Sequence, residues 1–193
     1  MHISIISGST RAESQSRKVS DYLSKRLKFL KIDNSIIDLH EKRLPLYDDS
    51  ETGEWKKLWR KISPLLQKSE GFIFVTPEWD GMFSVGIHNL IHYLDTEMAD
   101  KAVLGVAVSS GRGGRYPLLQ MRMMGYKNKR FVIIPESLFF EKITETLVDG
   151  KLTDARMIAR TDYALKVLIQ YSKALIGVRK SGVLNYEKFE NGL

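Results

Sequence analysis

The segment Gly8-Ser9-Thr10-Arg11-Ala12-Glu13-Ser14-Gln15-Ser16 sets four hydroxyls around one guanidinium, between an apolar run and an amphipathic stretch. A terminal phosphate needs donors on three oxygens and favours the positive end of a helix. Hydroxyls at 9, 10, 14 and 16, Arg11 and the free N–H groups of a helix start can supply them. No Gly-Lys-Ser/Thr follows, and the GxGxxG spacing of a dinucleotide turn is absent. The composition suits a phosphate monoester held without a metal. The same residues also serve a plain polar turn in which Ser14 or Ser16 caps the helix.

Two further loops carry chemistry. Thr76-Pro77-Glu78-Trp79-Asp80-Gly81-Met82-Phe83-Ser84 places a large aromatic within a polar loop. Trp79 is a wall for a planar ring, or, with Phe83, a plug for the core or a subunit contact. Ser109-Ser110-Gly111-Arg112-Gly113-Gly114-Arg115 holds three glycines in four positions. Such a loop lets backbone approach a ligand and aims N–H groups at a developing anion, or is a flexible turn. His88 and His92 have the spacing of a helical zinc pair, but Asn89 stands where that motif has Glu and no third ligand is evident. They read as polar positions on a helix surface or at a dimer seam. His2 and His40 show no partner. No nucleophile–base pair and no metal set emerge.

These loops must be positioned by the elements between them. The pattern predicts strands over His2–Ser7, Ser35–Leu39, Gly71–Val75, Ala102–Val108 and Arg130–Ile134. Helical stripes follow over Ser16–Lys31, Trp55–Lys68, Ser84–Leu94, Arg115–Met124 and Asp154–Leu175, the last with Thr153 as N-cap. Strands that are continuous apolar runs, each followed by a helix, argue an α/β fold with a parallel sheet covered on both faces. In such a sheet ligands sit beyond the carboxyl ends of the strands, where strand order reverses. The three loops above follow strands one, three and four.

A chain of 193 residues is expected to form one domain, residues 1–176, with a tail, 177–193, that packs on a neighbouring subunit or frays. No cysteine is present, so disulfides, thiolate metal sites and cysteine nucleophiles are excluded. The net charge of +7 is spread over helical patterns without the aromatic–basic signature of a base-stacking surface. No apolar run reaches membrane-span length. The expectation is a cytoplasmic protein that binds neither nucleic acid nor membrane.

With the motifs in order, the chain resembles the NADPH-dependent FMN reductases, the flavodoxin-like group that includes quinone, azo-dye and chromate reductases. Gly8, Ser9, Arg11, Ser14 and Ser16 match its Gly-Ser-x-Arg-x-x-Ser-x-Ser loop. Leu44-Pro45-Leu46-Tyr47-Asp48, Thr76-Pro77-Glu78, Asn89, Ser110-Gly111 with Gly113-Gly114, and Asp149–Asp154 resemble later family segments. Trp79 and Asp80 stand where the family has Tyr and Asn. The resemblance implies a flavodoxin-like three-layer sandwich with sheet order 2-1-3-4-5. It implies non-covalent FMN, with NADPH or NADH as co-substrate and a small-molecule electron acceptor. Ser9, Arg11, Ser14 and Ser16 would hold the phosphate. Pro77, Glu78, Trp79, Asp80, Ser110, Gly111 and Gly113 would hold the ring, with amides of Ser110–Gly113 near its pyrimidine end. No protein acid or base is required, because the cofactor carries the chemistry. A homodimer or homotetramer is implied as well. An Asp80 that points inward would weaken FMN binding or lower its potential. The other readings are a flavodoxin-like binding or regulatory module that has lost FMN, and a basic nucleic-acid-associated protein.

Overall fold

In the computed structural model, which describes residues 1–48 and 55–189, every residue of three strands is buried: β1 (His2–Ser7), β3 (Gly71–Pro77) and β4 (Ala102–Val108). Apolar runs covered on both faces leave no alternative. β2 (Asp33–Asp38) and β5 (Val132–Phe140) flank them, and the five strands pair in parallel in the order β2-β1-β3-β4-β5. The flavodoxin-like expectation is met.

Crossover helices cover the two faces. On one face α1 (Gln15–Phe29) and α6 (Ala155–Lys180) bring Val19, Leu23, Leu165 and Leu168 onto Ile3, Ile5, Ile73 and Leu104. On the other lie α2 (Trp55–Gln67), α3 (Val85–Tyr93) and α4 (Arg115–Arg122). Their Ile62, Leu66, Ile87, Leu90 and Met121 meet Ile6, Phe72 and Phe74. After β5 a single turn, α5 (Ile143–Thr146), leads into a small hairpin, β6 (Leu147–Val148) and β7 (Lys151–Leu152).

Several boundaries differ from expectation. β5 runs past Ile134 to Phe140 although Pro135 lies in its path. The register slips between Val103↔Ile133 and Gly105↔Ser137, and this edge strand absorbs the proline at that irregularity. The cap of α6 is Asp154, not Thr153: its carboxylate accepts from the N–H groups of Arg156 (2.8 Å) and Met157 (3.3 Å). That helix continues to Lys180, past the expected start of the tail. The tail, as far as Phe189, folds onto its own chain, where Tyr186 donates to Asp100 at 2.7 Å under the Arg130 guanidinium. Residues 190–193 lie outside the described residues. His2 and His40 do have partners: His2 meets Asp33 at 2.7 Å and Ser35 at 2.9 Å, and the His40 ring lies 3.0 Å from Thr10 O.

Lys101 enters the core side of α2. Its ammonium donates to the last carbonyls of that helix, Gln67 at 2.8 Å and Leu66 at 3.3 Å. Burial, helped by the nearby Arg179, pushes this lysine down to about 8. Below that value the folded and unfolded states both hold the proton, and the folded state bears the full cost of the buried charge. As pH rises from about 8 toward the ordinary lysine value near 10.4, the folded state sheds the proton first and the cost is relieved. Wild-type protein is therefore expected to gain stability relative to Lys101→Met between pH 8 and pH 10 in urea melts. A constant difference across that range counts against this account.

Candidate active site

The loop after β1 is shaped by close approach. Gly8 N donates to Val75 O at 2.9 Å, and the Ser84 hydroxyl donates to Gly8 O. This pins the end of β1 between β3 and α3. Arg17 secures the base of α1. It reaches Asp38 (3.1 Å), Glu41 (2.9 Å) and Asp21 (3.1 Å). Burial opposes its charge, but these carboxylates overcome that and raise it further.

The two candidate caps separate here. Ser14 is the N-cap, its hydroxyl accepting from Arg17 N at 3.1 Å. Ser16 lies inside the helix, and its hydroxyl is buried with no hydrogen-bond partner among the described residues. The first turn carries no acidic residue, so the positive helix end is uncompensated. Ser9 is buried, and its hydroxyl accepts from Arg11 N at 3.2 Å.

The loop after β3 makes a tight reversal. Met82 N donates to Trp79 O at 2.8 Å, with Asp80 at φ 53° and Gly81 at φ 70°. Two successive left-handed residues define the turn type that favours Asn-Gly or Asp-Gly. The Arg11 guanidinium lies over the Trp79 ring, 4.5 Å from its centroid. Phe83 is buried in the core beneath α3, and the His88 ring packs edge-on against it. Burial, with a contribution from His92, lowers His88 below the usual histidine range. His92 stacks on Tyr47.

These loops enclose a cavity of about 410 Å³ at the carboxyl end of the sheet. Ser9, Arg11, Ser14, Ser16, Pro77, Glu78, Trp79 and Ser110 all line it. Asp80, Gly111 and Gly113 do not. Asp80 is exposed and serves the turn backbone instead. The amide of Gly113 is taken by Glu141 at 3.0 Å. Ile143 and Thr144 of α5 complete the lining. Beside it, Asn89 ties down the stretch after β2, accepting from Tyr47 N at 2.9 Å and donating to Pro45 O at 2.8 Å.

The family model for NADPH-dependent FMN reductase matches residues 1–145. The chain belongs to that family. It is thus an oxidoreductase that uses FMN with NAD(P)H as co-substrate. No curated protein matches the chain by sequence. Among solved structures it is similar to FerB, a flavoenzyme NAD(P)H:(acceptor) oxidoreductase from Paracoccus denitrificans. That likeness has a TM-score of 0.73 at 18% identity, over 90% of this chain and 97% of the other. The apo form of an NADH:FMN oxidoreductase, EMOB, gives 0.65 at 16% identity, over 90% and 89%. An azoreductase from Bacillus anthracis gives 0.59 at 15%, over 88% and 99%. At such identities these likenesses speak to the fold.

The residues present fit FMN. The buried, unpartnered Ser16 hydroxyl at an uncompensated helix start is what a bound phosphate would satisfy. Trp79 and Pro77 offer apolar wall for a ring in the same cavity. Because Asp80 stands outside it, the Asp-for-Asn departure is a turn substitution. Asp80→Asn is expected to leave FMN affinity within about threefold and stability within about 0.5 kcal/mol of wild type. Asp80→Val, β-branched at positive φ, is expected to lose roughly 1–3 kcal/mol in denaturation melts.

Proposed function

We propose that this FMN reductase family member passes reducing equivalents from NAD(P)H to a quinone, azo, nitro or flavin-type acceptor by a ping-pong route. The observation that carries this reading is one cavity shared by the phosphate-competent start of α1 and the aromatic loop after β3. When bound, FMN supplies hydride acceptance at N5 and onward electron transfer. The chain's own part is to bind and orient. Ser9, Arg11, Ser14 and Ser16 hold the phosphate; Pro77, Glu78, Trp79 and Ser110 border the ring. The departure from the family pattern at Asp80 falls on the outer turn, away from this cavity, and so gives no support to a module without FMN.

Purified protein incubated with FMN is expected to retain flavin absorbance through gel filtration. NADPH should bleach it without oxygen, and a quinone should restore it. Parallel double-reciprocal plots are expected when both substrates are varied. Protein that takes up no FMN overturns the reading, and intersecting plots overturn the ping-pong route.

We further propose a homodimer or homotetramer in a cytoplasmic setting. Phe83 and Tyr93 are buried within the subunit itself. Met82, Val85, Tyr116, Leu119 and Met123 are exposed apolar side chains around the loop after β3 and on α4, and they support a subunit contact there. Among the described residues no helix is long and apolar enough to cross a membrane.

A further inference from the structure

The glycine loop between β4 and α4 has two unlike halves. In its second half, two consecutive amides are claimed by carboxylates. Gly114 N donates to Glu78 at 2.6 Å, and Gly113 N donates to Glu141 at 3.0 Å. The carboxylates arrive from opposite sides, Glu78 just after β3 and Glu141 just after β5. A Cβ on Gly113 would collide with the Glu78 carboxylate. Glycine at 113 therefore admits a side chain of the protein itself. In the first half, Gly111 O accepts from Lys142 N at 2.9 Å and from the Ser109 hydroxyl at 3.0 Å. The N–H groups of Ser110, Gly111 and Arg112 make no hydrogen bond among the described residues.

The two acids also differ in charge balance. Glu141 pairs with Arg115, and that pairing with the Gly113 amide holds its carboxyl below the usual range. Glu78 makes no ion pair among the described residues, and it lines the cavity.

We propose that Glu78 is a positioning residue: through Gly114 it fixes the glycine loop against the loop after β3, and so presents the amides of Ser110, Gly111 and Arg112 to the pyrimidine edge of FMN. Glu141 secures the same loop from the β5 side. This rests on the FMN reading above. Its second consequence is electrostatic. An unpaired carboxylate beside the ring disfavours the added negative charge of reduced flavin, so Glu78 lowers the potential of the bound cofactor.

Two variants separate the hydrogen bond from the charge. Glu78→Ala removes both; Glu78→Gln keeps an acceptor oxygen for Gly114 N and removes only the charge. In FMN-free protein, NMR-detected exchange of the Gly114 amide is expected to quicken at least tenfold in Glu78→Ala and to stay near wild type in Glu78→Gln. FMN affinity by fluorescence quenching should fall at least tenfold in the alanine variant and stay within about threefold in the glutamine variant. The two-electron potential of Glu78→Gln should rise by about 30 mV, the equivalent of a tenfold change. Fast Gly114 exchange in wild type, or wild-type FMN affinity in Glu78→Ala, overturns the positioning role. An unchanged potential in Glu78→Gln overturns the electrostatic one. Wild-type protein that binds no FMN, with Gly114 still protected, instead overturns the cofactor reading on which the positioning role depends.

Discussion

Replacing Ser16 with alanine is expected to make the FMN-free protein more stable while weakening FMN binding on the order of ten- to a hundredfold. The two effects have one cause. The Ser16 hydroxyl is buried without a partner, so the folded, ligand-free protein carries its desolvation cost with nothing in return. Removing it relieves about 1 kcal/mol, which for a chain of this size raises the melting temperature by roughly 2–4 °C. A phosphate that satisfies the hydroxyl gains a hydrogen bond to a charged group, and the alanine variant forgoes it. Ser14→Ala supplies the contrast. Ser14 caps α1 by accepting from Arg17 N, so its loss should lower ligand-free stability by about 1 kcal/mol. Both variants should bind FMN more weakly, yet their melts should move in opposite directions. An unchanged FMN affinity in Ser16→Ala would remove the phosphate from this helix start.

Ser14 and Ser16 are indistinguishable as caps in the sequence. Either hydroxyl can cap a helix, and only the position of the first turn, fixed by tertiary contacts such as Arg17 with Asp38, decides which one does. The strands were legible because burial on both faces leaves a plain apolar run, as in His2–Ser7 and Ala102–Val108. β5 was legible only in part. Pro135 reads as a strand stop, and an edge irregularity that tolerates it leaves no local signature. The loops that build the cavity followed from topology and from the family resemblance. What they do internally did not. Asp80-Gly81 carries a readable turn signature, but its place in the family's ring-binding segment points to ring chemistry instead. Ile143 and Thr144 sit in a single helical turn, too short for any period to mark it. Glu78 and Glu141 meet the glycine loop from distant parts of the chain, and no spacing rule links them to Gly113 and Gly114.

Glycine substitutions should divide the site into backbone that must be close to protein and backbone open to a ligand. Gly8→Ala is expected to destabilise the fold by about 2 kcal/mol and to weaken FMN binding as well. A Cβ there would stand 2.5 Å from the Ile87 side chain and 2.8 Å from Val75 O. Ile87 can turn aside, but the carbonyl cannot, because Gly8 N donates to that same oxygen. The strand end must then move off β3, carrying with it Ser9 and the Ser84–Gly8 contact that joins the loop to α3. Gly111 is the opposite case. A Cβ there meets nothing within 4 Å, and Gly111 is not among the residues at positive φ. Gly111→Ala should therefore leave urea melts within about 0.5 kcal/mol of wild type. Its FMN affinity should nonetheless fall, because the added methyl stands on the half of the loop whose amides are free to meet a ring. Wild-type stability in Gly8→Ala would count against the close-packing account of the phosphate loop. Wild-type FMN affinity in Gly111→Ala would place the ring away from Gly111 and leave Ser110, which lines the cavity, as the contact from this loop.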